Sequence, residues 1–263
     1  MKRFLLSTLA AVSAIVTLSL AASCTKTEAD PEAPENSEEN SYLFRYTAYE
    51  ETVPDEWAGY RHGFDAATGE GWIELSSDVT EIPEDAFRGT GLTSIEIPAS
   101  VTEIKEEAFE YCEDLTSVTF AEGSQLKIIG KEAFWGSGLT SIEIPASVIG
   151  IMESAFEYCG NLGSVTFAEG SQLITIGECV FFRTSGLTTI TIPESVRHIG
   201  MFAFCGNYNL KTVVFLSSAP PYHGDYIFEY CDSLEAICVP DGSEDAYKWS
   251  WPEYAQIIRG ENQ

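Results

Sequence analysis

The feature that most constrains this chain is a phrase written twice. LTSIEIPASVTEIKEEAFEYCED starts at Leu92 and LTSIEIPASVIGIMESAFEYCGN at Leu139, and these two 23-residue stretches agree at 17 positions. Between them, from Leu115, lies LTSVTFAEGSQLKIIGKEAFWGSG, whose partner LGSVTFAEGSQLITIGECVFFRTSG starts at Leu162. Two unit types therefore alternate with a combined period of 47 residues. Divergent units follow at Leu187, Leu210 and Leu234, and a partial one, WIELSSDVTEIPEDAFRGTG, precedes them from Trp72. Self-similarity at a period of roughly 20–50 residues marks a chain built by stacking one supersecondary unit on the next.

Each unit follows one physical plan. Leu92, Ile95 and Ile97 point inward while Ser94 and Glu96 point outward, the alternation of a half-buried strand. A turn follows, marked by Pro98 in one unit type and by Glu122-Gly123 in the other. A second apolar group, Val101, Ile104, Ala108 and Phe109, comes next, with the Ala-Phe pair expected on a short helical turn or tight loop. One unit cannot bury its apolar edge alone, but stacked units cover each other. The expected fold is therefore a β-rich solenoid with one parallel strand per coil, strands about 4.8 Å apart, and a cap at each end. Phe109, Phe134, Phe156, Phe181, Phe204 and Phe228 recur at one position and should form its spine, each worth about 1.5–3 kcal/mol on burial.

The phrase LTSIEIPASVTEI…AFEYC and the ending VPDGSEDAYKWSWPEYAQII resemble the BspA-type leucine-rich repeat surface proteins and lipoproteins of gut and oral anaerobes. The likeness runs from about Trp72 to Ile258. The ending is similar to the terminal cap of that family, and the Pro220-Pro221 insertion in the seventh unit resembles the Pro pair that the family often carries there. The resemblance implies a leucine-rich-repeat solenoid over residues 72–258, with its C-terminal cap from 234 and a tail at 259–263. It also implies a binding role, directed at host matrix or plasma proteins or at other bacteria.

The ends of the chain read differently. Lys2 and Arg3 precede an apolar run from Phe4 to Leu20, and Ala21-Ala22-Ser23 precede Cys24. Residues 1–23 thus read as a secretory signal peptide. Cys24 resembles the acylated cysteine of a bacterial lipobox, with Ala21 where a leucine is usual. Residues 24–40 carry six acidic side chains, two prolines and no large apolar group, so they read as a lipidated acidic tether. Residues 41–71 do not repeat and are rich in aromatics, as an N-terminal cap over the open first coil would be. The expected location is the cell surface, held to the outer membrane through the lipid.

Charge narrows the partners. With 14 Lys and Arg against 41 Asp and Glu, the net charge of -27 repels nucleic acid and anionic membrane. Membrane contact is expected only through the lipid, and the chain is expected to be a monomer. The histidines His62, His198 and His223 are scattered, and the sequence has no C-x-x-C, G-x-S-x-G, H-E-x-x-H or phosphate loop. No catalytic residue, metal or cofactor is assigned, and the chain is not expected to be an enzyme. Cys112, Cys159 and Cys231 share one repeat position and read as small buried groups, whereas a Cys205–Cys231 bridge is left open.

Two surfaces remain as candidate binding sites. One is the outward strand face, with a row of Ser94, Ser117, Ser141, Ser164 and Thr189 beside a row of Glu96, Thr119, Glu143, Thr166 and Thr191. The other follows the Ala-Phe pair, where Trp135, Phe182 and Arg183 stand. Solenoids bind on such extended faces, and large aromatics anchor protein interfaces. The expected partners are host or bacterial surface proteins, with glycans or a nutrient-capture role as the alternative.

Overall fold

The computed structural model describes residues 41–76 and 79–261, so the signal, lipobox and tether assignments lie outside the described residues. Three cap strands come first: β1 (Ser41–Ala48), β2 (Arg61–Asp65) and β3 (Glu70–Ser76). Two-residue strands then alternate with longer ones: β4 (Glu81–Ile82), β5 (Leu92–Ile97), β6 (Glu103–Ile104), β7 (Ser117–Phe120), β8 (Ile128–Ile129), β9 (Ser141–Ile144), β10 (Gly150–Ile151) and β11 (Ser164–Phe167). The series continues with β12 (Thr175–Ile176), β13 (Thr189–Ile192), β14 (His198–Ile199), β15 (Thr212–Phe215), β16 (Tyr222–His223) and β17 (Ala236–Val239). Helix α1 (Glu244–Ser250) and β18 (Ile258–Gly260) close the chain.

Each coil thus has three sides. The short strands form one unbroken sheet, β4-β6-β8-β10-β12-β14-β16. The long strands form the main face, in the order β2-β3-β1-β5-β7-β9-β11 and then, as a separate sheet, β13-β15-β17-β18. The third side is a tight loop around the Ala-Phe pair. It is not helical. Among the described residues eleven non-glycine residues have φ between 53° and 61°, all of them two places before or two places after a loop phenylalanine. Alternating left-handed and ordinary backbone turns every second N–H toward the next coil. Glu107, Phe109 and Tyr111 donate to the carbonyls of Lys131, Ala133 and Trp135 at 2.9, 2.8 and 2.9 Å. Left-handed backbone costs an L-residue about 1–2 kcal/mol, and the coil-to-coil bonds it permits offset that cost by pairing these loop amides.

The phenylalanines stack through the interior. Ring centroids of Phe87, Phe109, Phe134, Phe156, Phe181, Phe204 and Phe228 follow each other at 5.0–5.6 Å. Phe44 of β1 extends the stack at 5.7 Å, and Trp57 closes it edge-on. At the other end Trp251 and Tyr254 meet Phe228 edge-on. The caps therefore end the stack with rings turned across it. Helix α1 is stopped by Pro252 and lays buried Tyr247 and Trp251 on Phe215. In the N-terminal cap β1 runs antiparallel to β5, with Arg45 opposite Glu96 and Thr47 opposite Ser94. Gly71 and Gly63 lie under the rings of Tyr46 and Trp72, where an added Cβ would come within 2.1 and 2.9 Å of ring atoms.

The six described cysteines are free, so the Cys205–Cys231 bridge does not form. Cys112, Cys159 and Cys231 have a more specific task than filling space. Each thiol donates to the carbonyl of the previous coil's loop phenylalanine, Phe87, Phe134 or Phe204, at 2.9–3.1 Å. Thr184 and Asn207 occupy the same position and serve Phe156 and Phe181 in the same way. Burial pushes the Cys112 thiol up to about 11 and those of Cys159 and Cys231 to about 12, which keeps the donor proton in place.

Candidate binding faces

The main sheet presents both predicted rows. Ser94 pairs with Ser117 and Glu96 with Thr119 across β5–β7, Ser117 with Ser141 across β7–β9, and Ser164 with Ser141 and Thr166 with Glu143 across β9–β11. Thr189 and Thr191 open the second sheet. All ten side chains except Ser94 are exposed. Ser94 is half-buried because Thr47 of the cap shares a hydrogen bond with it at 2.8 Å. Not every hydroxyl is available: Thr119 donates to Ile95 O at 3.5 Å and Thr189 to Thr212 O at 3.3 Å. The cap adds two residues that the repeat pattern did not reach, Thr47 in the hydroxyl row and Arg45 beside Glu96. Their signal lies in the alternation of Leu43, Arg45 and Thr47 with Phe44, Tyr46 and Ala48.

The rows are interrupted. Among the described residues only Ser117↔Ser141 joins β7 to β9, and no ladder joins β11 to β13. A cavity of about 670 Å³ lies at the first gap and one of about 730 Å³ at the second. The cause is local. Where the sheet is closed, Ala121 donates to Ile97 O, Ala168 to Ile144 O and Leu216 to Ile192 O at 3.0–3.1 Å. At the two gaps the corresponding residues are Pro145 and Pro193, which have no N–H, but Pro240 stands at the same place and β15 still pairs with β17, so proline alone does not open the sheet. Phe120 and Phe167 also replace the fully buried Ile97, Ile144 and Ile192, and they are only half-buried.

The loop side carries the second candidate. Trp135 and Phe182 are half-buried, Trp135 between Tyr111 and Tyr158 and Phe182 against Tyr158. Tyr111, Trp135, Tyr158 and Phe182 follow each other edge to face at 4.6, 5.1 and 5.9 Å. Tyr111 and Tyr158 keep 45% and 41% of their surface exposed, so the ridge crest is aromatic and open to solvent. Arg183 lies over Tyr158 and Phe182 at 5.7 and 5.4 Å, and Arg88 over Tyr111 at 6.0 Å. Tyr111, Tyr158 and Arg88 extend the set read from sequence. Their signal is an alternating offset: the second ring stands two places after the loop phenylalanine in one unit type and one place after it in the other.

Carboxylates flank this ridge. Arg88 pairs with Asp85, Glu107 and Glu110. The Glu110 oxygen lies 2.7 Å from Arg88 Nε but off the line of a good hydrogen bond, so it is an ion pair without a directed donor. Burial raises the Glu110 carboxyl against the opposing pull of Arg88, and burial likewise raises Glu157. Among the described residues no group of three His, Cys, Asp or Glu is placed to hold a metal ion, and no helix is long and apolar enough to cross a membrane.

The profile described as "BspA type Leucine rich repeat region" matches residues 80–185 and 151–251, in six copies. No curated protein matches the sequence. A crystal structure of a leucine rich cell surface protein from Faecalibacterium prausnitzii is similar at 25% identity and a TM-score of 0.53, over 73% of this chain and 56% of that one. The chain thus spans little more than half the length of that protein. The T. pallidum leucine rich repeat protein is similar at 21% identity and a TM-score of 0.44, over 76% of this chain and 95% of that one. A leucine-rich repeat protein from Bacteroides ovatus is similar at 21% identity and 0.38, over 64% and 60%.

Proposed function

We propose that this chain, which belongs to the BspA-type leucine-rich repeat family, is a lipid-anchored protein of the bacterial surface that binds other proteins, as an adhesin does. The observation that carries the reading is the aromatic ridge. Tyrosine, tryptophan and arginine dominate protein-binding hot spots, and here Tyr111, Trp135, Tyr158 and Phe182 line up between Arg88 and Arg183. A monomer has little reason to hold such a row at its surface. Support for surface display comes from Cys24 with its preceding apolar run, and from the likeness to the leucine rich cell surface protein of F. prausnitzii. The partners are host or bacterial surface proteins, and no cofactor takes part.

The test is binding of the purified chain to an array of matrix proteins, plasma proteins, mucins and glycans. Selective capture of a protein, weakened at least about 30-fold by Trp135→Ala with folding intact, is the expected result. Capture of glycans alone, controlled by Glu96→Ala and Glu143→Ala on the hydroxyl face, would move the function to nutrient capture. Metabolic labelling with a fatty-acid analogue, abolished by Cys24→Ser, tests the anchor.

A further inference from the structure

The main sheet ends at β2, which pairs with β3 on one side and, among the described residues, with no strand on the other. Ala48 donates to Gly69 O at 2.9 Å, so in the β1–β3 ladder residues 46, 44 and 42 bond with residues 71, 73 and 75. Residues 70, 72 and 74 therefore turn their N–H and C=O groups toward β2, where they meet Asp65, Gly63 and Arg61. His62 and Phe64 are left with their backbone groups directed out of the sheet. Among the described residues no hydrogen bond reaches those four groups. Side chains alternate along the same strand. Arg61, Gly63 and Asp65 stand beside Glu74, Trp72 and Glu70 on the outward face, while Phe64 stacks on Tyr46 from within at 6.4 Å. A free edge of this kind is a template for another strand.

We propose that β2 pairs antiparallel with β2 of a second copy of this chain, about a twofold axis at Gly63. In this register His62 N–H meets Phe64 O of the copy and Phe64 N–H meets His62 O of the copy, so every free group on both edges is used. The same register sets Arg61 opposite Asp65 of the copy, and Asp65 opposite Arg61, so both charges of the strand meet their opposites. These are the non-hydrogen-bonded positions, where facing side chains come closest. Gly63 meets Gly63 with no side chain between the backbones. Charge on an edge strand ordinarily keeps copies apart, whereas this arrangement attracts one. Both charged groups are accessible. Arg61 holds Glu74 at 2.7 Å with its side chain still 65% exposed, and exposed Asp65 accepts from the Ala67 N–H and the Thr68 hydroxyl of its own turn. The net charge of -27 opposes association, but at physiological salt it is screened beyond about 8 Å, so the pairs at the strand set the sign. The dimer takes the place of the monomer expected from the sequence. It does not depend on the protein-binding reading, because the aromatic ridge lies on the loop side.

The test is sedimentation equilibrium of the purified chain, with amide exchange followed by NMR as concentration rises. The expected result is a reversible dimer with a Kd between about 10 μM and 1 mM, in which the amides of His62 and Phe64 gain protection. Arg61→Asp sets carboxylates against each other at both ends of the paired strands, and Asp65→Arg sets guanidinium groups there. Each variant alone should self-associate at least about tenfold more weakly than the unaltered chain. Mixed in equal amounts, the two variants should pair with each other about as tightly as the unaltered chain pairs with itself, which misfolding cannot imitate. A single species at about 1 mM unaltered chain overturns the proposal, as does undiminished self-association of either variant. If Asp65→Arg disturbs its turn and the mixture fails, the unaltered chain decides: a dimer that leaves the His62 and Phe64 amides unprotected also overturns the proposal. Each of these outcomes leaves the ridge and its array result untouched.

Discussion

The loops around Phe109, Phe134, Phe156 and Phe181 and the strands β5 to β13 belong to the same coils, yet the two sides join their neighbours differently. On the loop side three amides per coil reach the next coil and the rings stack without a break from Phe44 to Phe228. On the strand side the ladder thins between β7 and β9 and stops between β11 and β13. A stack held on two sides does not need the third to be continuous. The continuous side carries stability through buried rings, and the broken side is left with exposed hydroxyls and open edges, which is what a binding face requires.

The largest effect expected from this contrast is on the stack. Phe156→Ala removes a fully buried ring and should cost about 3–5 kcal/mol by denaturant titration, whereas Phe167→Ala, on the open sheet, should cost less than half of that. Equal costs would break the comparison. Next comes the donor column: Cys159→Ala should destabilise by about 1 kcal/mol, and Cys159→Ser, which restores a donor to Phe134 O, should recover most of it. If serine and alanine behave alike, the thiol only fills space.

Pro193→Ala sharpens the account of the split. It returns an N–H opposite Phe167 O, so an amide at 193 protected from exchange is expected. The net change in stability should stay within about 1 kcal/mol, because the new bond is offset by a more flexible unfolded chain. An unprotected amide would assign the gap to Phe167 rather than to proline. The smallest effect is on pH. Burial lifts Glu110 in the folded state to about 7 from its ordinary 4.5, so the folded protein takes up this proton first. Its contribution is fully present below about 4.5 and is lost as pH rises through about 7. Stability should therefore fall across that window, and Glu110→Gln should flatten the slope measured by urea titration.

Much of this was legible in the sequence because it repeats. A position that recurs as Phe in every unit can only be stacked on its copies, and alternation in L-x-x-I-x-I fixes which side chains face outward. The aromatic ridge was half legible. Trp135 and Phe182 stood out by type, but Tyr111 and Tyr158 sit at a different offset, and their interdigitation depends on left-handed turns that no residue preference announces. The disulfide question was not legible, since bridging depends on where thiols point, and these point at carbonyls one coil back.

By itself, then, the sequence determined the coil, its period, its inward and outward faces and its buried spine, because each of these is set by contacts that recur with every repeat. The tertiary structure decided which neighbouring strands bond and which part. That outcome depends on the balance of three sides of a coil at once: the gaps fall where a half-buried Phe120 or Phe167 faces Pro145 or Pro193, while buried Phe215 faces Pro240 across a closed ladder, and the loop and short-strand sides hold the coils together where the main sheet opens.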